Sequence, residues 1–173
     1  MRIQTRYRKL ALAVVLAGLL VPSLALAQTG QASKPQVFGE AYRAVPPAAP
    51  DQARVIYYRP ASAAAKPTGA NVYIGGHFHT SLLPGGFTTF CLPPGQHLLG
   101  AYQNEAPLYR GKTEELYRVS LEAGKTYFVK VSEDAKGQPV SVGREEAERS
   151  LNGAREQTHA ISRAEAPVCK SAL

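Results

Sequence analysis

The sequence has few aspartates and lacks the short motifs of common hydrolases. Its two aspartates are Asp51, in a proline-rich segment, and Asp134, in a predicted turn. A Ser–His–Asp triad therefore lacks a well-placed acid. The chain contains neither Gly-x-Ser-x-Gly nor His-Glu-x-x-His, the motifs of a serine nucleophile on a sharp turn and of a zinc peptidase. These absences predict that the protein is not an enzyme.

The N-terminal apolar run is too short to span a bilayer comfortably. This run, Leu10–Leu20, follows four basic residues and precedes Ala25-Leu26-Ala27, which supplies small residues where a signal peptidase reads. Residues 1–27 are therefore predicted to be a cleaved Sec-type secretory signal peptide. No cysteine lies at the cleavage site and the N-terminal arginines are not adjacent, which argues against a lipid anchor and twin-arginine export. We expect a periplasmic or outer-membrane-associated protein with no transmembrane span after cleavage.

The charge left after signal cleavage is small. The whole chain has 20 basic and 13 acidic residues, for a net charge of +7. The signal peptide holds four basic residues and no acids, so 16 basic and 13 acidic residues remain, a net charge of +3. A mildly basic surface with mixed signs predicts solubility and no nucleic-acid partner.

The remaining chain divides into a linker, one domain and a short tail. Residues 28–52 are rich in Gln, Ser, Ala and Pro, which is typical of a flexible, extended segment. Residues 53–169 are the right size for one domain with a sizeable core, and 170–173 form a tail.

The predicted domain is a single antiparallel β-sandwich of about eight short strands with one short C-terminal helix. Gly75-Gly76 predicts a primed two-residue hairpin turn in which both residues have positive φ. Ala123-Gly124-Lys125 predicts a second hairpin. The helix is expected at Arg144–Leu151, with Glu145 and Arg149 spaced for an i,i+4 pair. The strands are predicted in ARVIYYRP (53–60), which Pro60 closes, and at 71–74, 77–83, 87–92, 96–102, 116–121, 126–132 and 157–162.

The two cysteines predict one disulfide. A secreted chain with two cysteines most simply pairs them, because the periplasm is oxidising. A bond between Cys91 and Cys169 would attach the C-terminal segment to a central strand. Two unpaired thiols are the alternative.

Three histidines are candidate metal ligands. His77 and His79 form a His-x-His pair whose side chains share a face of a regular strand. A strict two-residue turn would place Ile74 opposite His77 and Val72 opposite His79. His97, on a later strand, would complete a zinc or copper site, with His159 as a further candidate. Structural, hydrogen-bonded histidines are the alternative. We expect no cofactor.

Aromatic residues are too numerous for one face of the sheet, and about half are expected in the core. The rest predict an exposed aromatic patch, which is typical of a protein or glycan contact. The aromatic residues are Tyr57, Tyr58, Tyr73, Phe78, Phe87, Phe90, Tyr102, Tyr109, Tyr117, Tyr127 and Phe128.

The central stretch resembles a PEGA-like pattern of a strand, a tight glycine turn, a second strand and a Pro-Gly-x-His turn. Together, RVIYYRP, VYIGGHFHTSLLPGGFTTFCLPPGQH and AGKTYFVKV resemble a small envelope β-sandwich domain of unknown function from Gram-negative bacteria. Similar domains occur alone or as N-terminal modules of OmpA-family proteins, ahead of a peptidoglycan-binding domain. The resemblance covers about 54–163 and brings no catalytic residues. This chain stops at Leu173, without room for that second domain.

Three functions remain. The leading prediction is a non-enzymatic, secreted or periplasmic cell-envelope binding or scaffold module. It would use sheet edges or the aromatic face against an envelope protein or a cell-wall glycan. The first alternative is a periplasmic transition-metal-binding protein that uses the histidine cluster. The second is an uncharacterised envelope enzyme.

Overall fold

The computed structural model describes residues 37–62, 65, 67–134, 136–158 and 161–170. The predicted signal peptide, the first part of the predicted linker, His159 and residues 171–173 lie outside this range. Within the described range, no helix is both long enough and apolar enough to cross a membrane.

The fold is mainly β, with ten strands and one short helix in the described part of the chain. The elements are β1 (Phe38–Ala41), β2 (Ala53–Tyr58), β3 (Ala70–Ile74), β4 (His77–Leu82), β5 (Gly86–Leu92), β6 (Gly95–Gln103), β7 (Tyr117–Leu121), β8 (Thr126–Val131), β9 (Pro139–Val142), α1 (Arg144–Leu151) and β10 (Arg155–Gln157).

The strands form two sheets. The first has the order β1-β10-β5-β2-β8-β9 and the second the order β4-β3-β6-β7. Most pairs are antiparallel, but β10 pairs in parallel with β5, and β2 pairs in parallel with β8. The prediction of a purely antiparallel, eight-stranded fold is therefore wrong in both respects. Parallel neighbours need long connections, and here the chain reaches β8 only after passing through the second sheet, and β10 only after α1.

One buried cluster draws side chains from both sheets. On β2, Val55 and Tyr57 belong to this cluster, whereas Ile56 and Tyr58 belong to another cluster on the opposite face. This alternation is the period of two expected for a strand. The second sheet contributes apolar side chains from each of its strands: Ala70, Val72, Ile74, Leu82, Leu99, Ala101 and Leu121.

Helix α1 begins and ends where the sequence predicted. Its buried residues, Ala147 and Leu151, pack with Ile56, Tyr58 and Phe128 of the first sheet. The close ion pair on its surface joins Arg144 to Glu148, 2.9 Å apart, rather than the predicted Glu145 and Arg149. The helix thus covers the face of the first sheet that points away from the second.

The connection from β7 to β8 is not the predicted hairpin. Strand β7 pairs with β6 in the second sheet, and β8 pairs with β2 and β9 in the first. Two backbone hydrogen bonds fix the crossing, from Gly124 N–H to the Gln52 carbonyl (2.8 Å) and from Arg54 N–H to the Lys125 carbonyl (2.9 Å). The short Gly-containing loop is therefore an arch between the sheets.

Part of the predicted flexible linker is folded. Strand β1 pairs with β10, and Tyr42 packs edge-on against Phe87 with ring centroids 5.4 Å apart. Ala48 and Ala49 are buried further along the segment. Sequence composition missed β1 because it is a four-residue strand whose single large apolar side chain is Phe38. Strand β9 was missed for a related reason, since it begins with proline, which is disfavoured inside a sheet.

The predicted disulfide is present. Cys91 on β5 is bonded to Cys169, with Cα atoms 5.0 Å apart. Segment 161–170 leads to this bond along the edge of β4, where the Phe78 carbonyl accepts hydrogen bonds from the backbone N–H groups of Arg163 and Ala164. Gln52 then holds the end of the segment through the Val168 carbonyl (3.1 Å) and the Lys170 N–H (2.9 Å). We call 161–170 the C-terminal segment.

One arginine is fully buried between the sheets. The Arg59 side chain is 0% exposed, and its guanidinium donates to both carboxylate oxygens of Glu133, at 2.9 and 3.1 Å. It also donates to the Gln103 side-chain oxygen (2.9 Å) and to the Thr68 carbonyl. A buried charge is tolerated only when it is paired and hydrogen-bonded, and this network meets that condition.

Candidate functional site

The two histidines of the His-x-His motif do not share a regular strand register. Ile74 lies opposite His77, as expected, but Val72 lies opposite Thr80 rather than His79, because β4 carries an extra residue between these pairs. Such a bulge interrupts the alternation of side chains. The predicted pairing of Val72 with His79 is therefore wrong.

The ring nitrogens of His79 are both engaged by hydroxyl groups. Nδ1 lies 3.2 Å from the Ser162 hydroxyl of the C-terminal segment, and Nε2 lies 3.2 Å from the Thr88 hydroxyl on β5. The ring also packs edge-on against Phe90, with centroids 5.2 Å apart. His79 thus links the edge of the second sheet to the first sheet and to the C-terminal segment.

His97 lies apart from the other two histidines. It is on β6, and β3 separates β6 from β4 in the second sheet. Its Nε2 lies 2.7 Å from the Pro93 carbonyl at the Pro-Gly turn. Among the residues that the structure describes, no group of three or more His, Cys, Asp or Glu side chains is placed to hold a metal ion.

Aromatic residues cluster on the face of the second sheet that points away from the first. Tyr73, Phe78 and Tyr102 are buried there, with Tyr117 packed against them. The Tyr73 ring meets Phe78 and Tyr102 edge-on, at centroid distances of 5.9 and 5.7 Å. Burial is the largest cause of the raised pKa of the Tyr102 hydroxyl, and the same holds for Tyr73. Both phenols are therefore neutral at physiological pH.

A long connection covers this aromatic face. We call residues 104–116, between β6 and β7, the covering loop. The Leu108 N–H donates to the Tyr73 hydroxyl (2.9 Å), and the Lys112 N–H donates to the Gly76 carbonyl (2.7 Å). The Lys112 ammonium lies 4.1 Å from the centroid of the Tyr102 ring, and its Nζ lies 3.1 Å from a Glu105 carboxylate oxygen. These contacts fix the loop at several points along its length.

The covering loop turns two apolar side chains outward. Leu108 is 43% exposed and Tyr109 is 51% exposed. The Tyr109 ring rests edge-on against Phe78, with centroids 5.2 Å apart, so its position is supported from below. The sequence predicted an exposed aromatic patch but did not place it on this loop. The adjacent Leu and Tyr between Pro107 and Gly111 are the signal that would have located it.

Most of the eleven aromatic residues named in the sequence analysis are buried. Tyr109 is exposed, Tyr117 and Tyr127 are half-buried, and the remaining eight are buried. The core share is therefore larger than the half expected. What remains on the surface is a small patch around the covering loop rather than a broad aromatic face.

Two adjoining cavities lie beside this loop, along the opening between the sheets. The larger, about 560 Å³, is lined by residues of β3, β4, β10 and the start of the covering loop, including Asn71, Ser81 and Glu105. The smaller, about 380 Å³, is lined by residues including His79 and Thr88. Both are lined by Gln157 and Thr158.

Two of the four sheet edges, β7 and β9, carry features that discourage pairing with another chain. Strand β7 ends the second sheet, and its exposed residues are the charged Arg118 and the polar Ser120. Strand β9 ends the first sheet and begins with Pro139. Short edges with charge or proline are common protections against strand addition.

The glutamates of α1 are dispersed on its surface. Glu146 lies 3.4 Å from Lys130, and Glu148 pairs with Arg144. Glu145 and Glu146 are exposed, which agrees with the predicted solvated face.

No protein-family model, curated protein or solved structure matches the chain.

Proposed function

We propose that the protein is a non-enzymatic binding module of the bacterial cell envelope, exported by an N-terminal signal peptide. It contacts an envelope protein through Leu108 and Tyr109 of the covering loop. The fold class behind this proposal is a β-sandwich similar to the PEGA-like envelope domain, with extra edge strands. The shared core cluster of the two sheets supports that assignment.

The exposed Leu108–Tyr109 pair is the observation that carries the proposal. Adjacent apolar side chains on a fixed loop cost little conformational entropy when a partner covers them, because the backbone is already ordered. Tyrosine combines a large apolar surface with a polar hydroxyl and is enriched at the centres of protein interfaces. Arg110, also exposed, adds a residue type common at such sites. Because the edges of β7 and β9 are protected, we place the partner contact on the covering loop and not on a strand added at either edge.

Four described residues with shifted pKa values do not supply a general acid or base at pH 7. Burial is the main cause of the raised pKa of Tyr57 and Tyr58. Hydrogen bonds from Arg59 and Ser132 are the main causes of the lowered pKa values of Glu133 and Asp134. Each shift keeps the group in its usual charge state at pH 7, whereas a general acid or base works best with a pKa near the operating pH.

Site-specific photo-crosslinking in the source bacterium tests the contact. A photoreactive phenylalanine analogue placed at position 109 is expected to yield a discrete crosslinked envelope protein. The same analogue at position 168 is the matched control, because Val168 is 88% exposed and apolar but lies on the C-terminal segment. Equal crosslinking from both positions, or none from position 109, would refute the contact.

A variant of the covering loop measures how much the two side chains contribute to partner binding. Leu108→Ser combined with Tyr109→Ser should reduce recovery of that partner by at least about 30-fold, since truncating an interface hot spot costs about 2 kcal/mol or more. Thermal denaturation should show an intact domain, because both side chains are largely exposed. Metal analysis of the gently purified protein separates this module from the metal-binding alternative, which requires bound zinc or copper.

A further inference from the structure

The two cavities beside the covering loop are rich in uncharged hydrogen-bonding residues. In the larger one these are Thr68, Asn71, Ser81, Asn104, Gln157 and Thr158. The smaller one adds His79, Thr80, Thr88 and Ser162. Because Gln157 and Thr158 line both, the cavities adjoin, and we call them together the trough. Each has a volume in the range typical of small-ligand sites.

The trough has no lysine or arginine among the residues that line it. Its charged lining residues are Glu105 and Glu156. The Glu105 carboxylate is balanced by Lys112, whose Nζ lies 3.1 Å from Oε2. A site without lysine or arginine does not favour phosphate or carboxylate ligands, which normally need such partners. The trough therefore does not favour an anionic ligand.

One buried hydroxyl in the trough has no hydrogen-bond partner among the described residues. Thr80 is 1% exposed, and its Oγ1 is buried without such a partner. Most buried polar groups in proteins are hydrogen-bonded, because leaving one unsatisfied is unfavourable. Thr80 lines the smaller cavity, so a ligand hydroxyl or amide would satisfy Oγ1 once the Thr80 side chain turns this atom toward the cavity.

A peptide strand added to the edge of β4 fits the trough less well than a small ligand. The strand that borders it is β4, the edge of the second sheet. The Phe78 carbonyl is already occupied by the N–H groups of Arg163 and Ala164, and the Leu83 N–H donates to the Gln157 side-chain oxygen at 3.1 Å. Strand addition needs a run of free backbone groups along the edge, and these two positions at either end of β4 are taken.

We propose that the trough binds an uncharged oligosaccharide. Hydroxyl and amide side chains offer both donors and acceptors to sugar hydroxyls. Val37, Leu83 and Pro107 supply apolar contacts for the carbon–hydrogen face of a sugar ring. Two adjoining cavities accommodate more than one ring. This site is distinct from the Leu108–Tyr109 contact and does not depend on it.

NMR titration of isotope-labelled protein with triacetylchitotriose and with maltotriose, two uncharged trisaccharides, tests the proposal. At least one is expected to give saturable shifts at residues that line the trough, such as Ser81, Thr88 and Gln157. Trigalacturonate, an anionic trisaccharide, should bind more weakly than the better uncharged one. Absence of saturable shifts with both uncharged sugars overturns the proposal, as does tighter binding of the anion or a response confined to Leu108 and Tyr109.

Two matched pairs of variants locate the site. Thr80→Val removes the unpartnered hydroxyl at almost constant volume and should weaken binding about 3- to 10-fold, the loss of one neutral hydrogen bond. Its control, Thr126→Val on β8, lies outside the trough and should change nothing. Removing a buried hydroxyl that lacks a partner does not cost the domain a hydrogen bond, so Thr80→Val is expected to fold.

Asn104→Gly removes an amide from the larger cavity without straining the backbone, since Asn104 has φ 62° and glycine accepts positive φ freely. Glu115→Gly, at φ 55° and outside the trough, is its control. Binding should weaken in the first and stay constant in the second. Equal effects within either pair would show that the sugar binds elsewhere.

Discussion

Breaking the disulfide should destabilise the whole domain, not only its C-terminal segment. The bond joins positions 78 residues apart, so it restricts most of the domain in the unfolded state. The chain-entropy model gives about 4.5 kcal/mol at 25 °C for a loop of this length. We choose Cys169→Ser as the perturbation, because Cys91 is fully buried on β5 and stays in place in this variant.

Three hydrogen bonds that do not depend on the disulfide still hold the C-terminal segment in the folded variant. The Gln52 side chain would still bind the Val168 carbonyl and the Lys170 N–H, and Arg54 would still donate to the Lys170 carbonyl at 3.1 Å. Each is worth about 1 kcal/mol, so the segment can stay docked in the folded state. The loss then comes from the unfolded state, which gains conformational freedom.

Calorimetry or circular dichroism measures the effect. A domain of this size loses about 3–5 °C in Tm per kcal/mol, so Cys169→Ser should melt about 13–23 °C below the oxidised protein. Wild-type protein melted with a reductant should fall by a similar amount, and Val168→Ser, at the exposed neighbouring position, should not. Melting of the reduced protein and of Cys169→Ser within about 2 °C of the oxidised protein would refute the chain-entropy reasoning.

Two other predictions concern stability. Gly75 and Gly76 have φ of 60° and 81°, but a Cβ on Gly76 would lie 2.6 Å from the Lys112 carbonyl oxygen, whereas one on Gly75 meets open space. Urea denaturation should therefore show Gly76→Ala less stable than Gly75→Ala by at least about 1 kcal/mol; equal midpoints would contradict this. Glu133→Gln should cost about 1–3 kcal/mol at pH 7, less than for a fully buried pair because Glu133 is 46% exposed. The hydrogen bond from Arg59 lowers the folded-state pKa of Glu133 below its ordinary 4.5, so this stabilisation is complete above the unfolded pKa and is lost as pH falls through the folded value. The stability difference from wild type should accordingly shrink in acid, whereas Glu122→Gln, at an exposed pair with Lys125, should change little at any pH.

Local patterns predicted the local elements well. The alternation in TYFVKV places Val129 and Val131 in the shared core and Phe128 under the helix, as expected from a period of two. Gly75 and Gly76 both have the positive φ that a primed turn requires. The disulfide followed from the cysteine count and the predicted compartment. In each case the deciding interaction lies within a few residues or follows from composition.

Sheet membership could not be read from the sequence. The loops after β4, β5 and β7 have the glycine and proline content of hairpins, but each crosses between the sheets. The strand with which the next strand pairs is determined by which side chains are buried together and not by the turn sequence. The bulge at His79, whose ring contacts Thr88 and Phe90, was likewise not predicted. The candidate contact at Leu108 and Tyr109 required knowing that the covering loop packs on an aromatic face.

The position of β10 constrains the order in which the protein assembles. The last of the described strands inserts between the first of them, β1, and the central β5, so the six-stranded sheet has an open gap until residues 155–157 are available. Contacts of such high sequence separation form slowly. Translation intermediates that lack residues 155–157 would leave β1 without a strand partner and expose one edge of β5 to proteases and to other chains. Under the proposed export, the chain would stay unfolded until release, when β10 closes the sheet and Cys169 reaches Cys91.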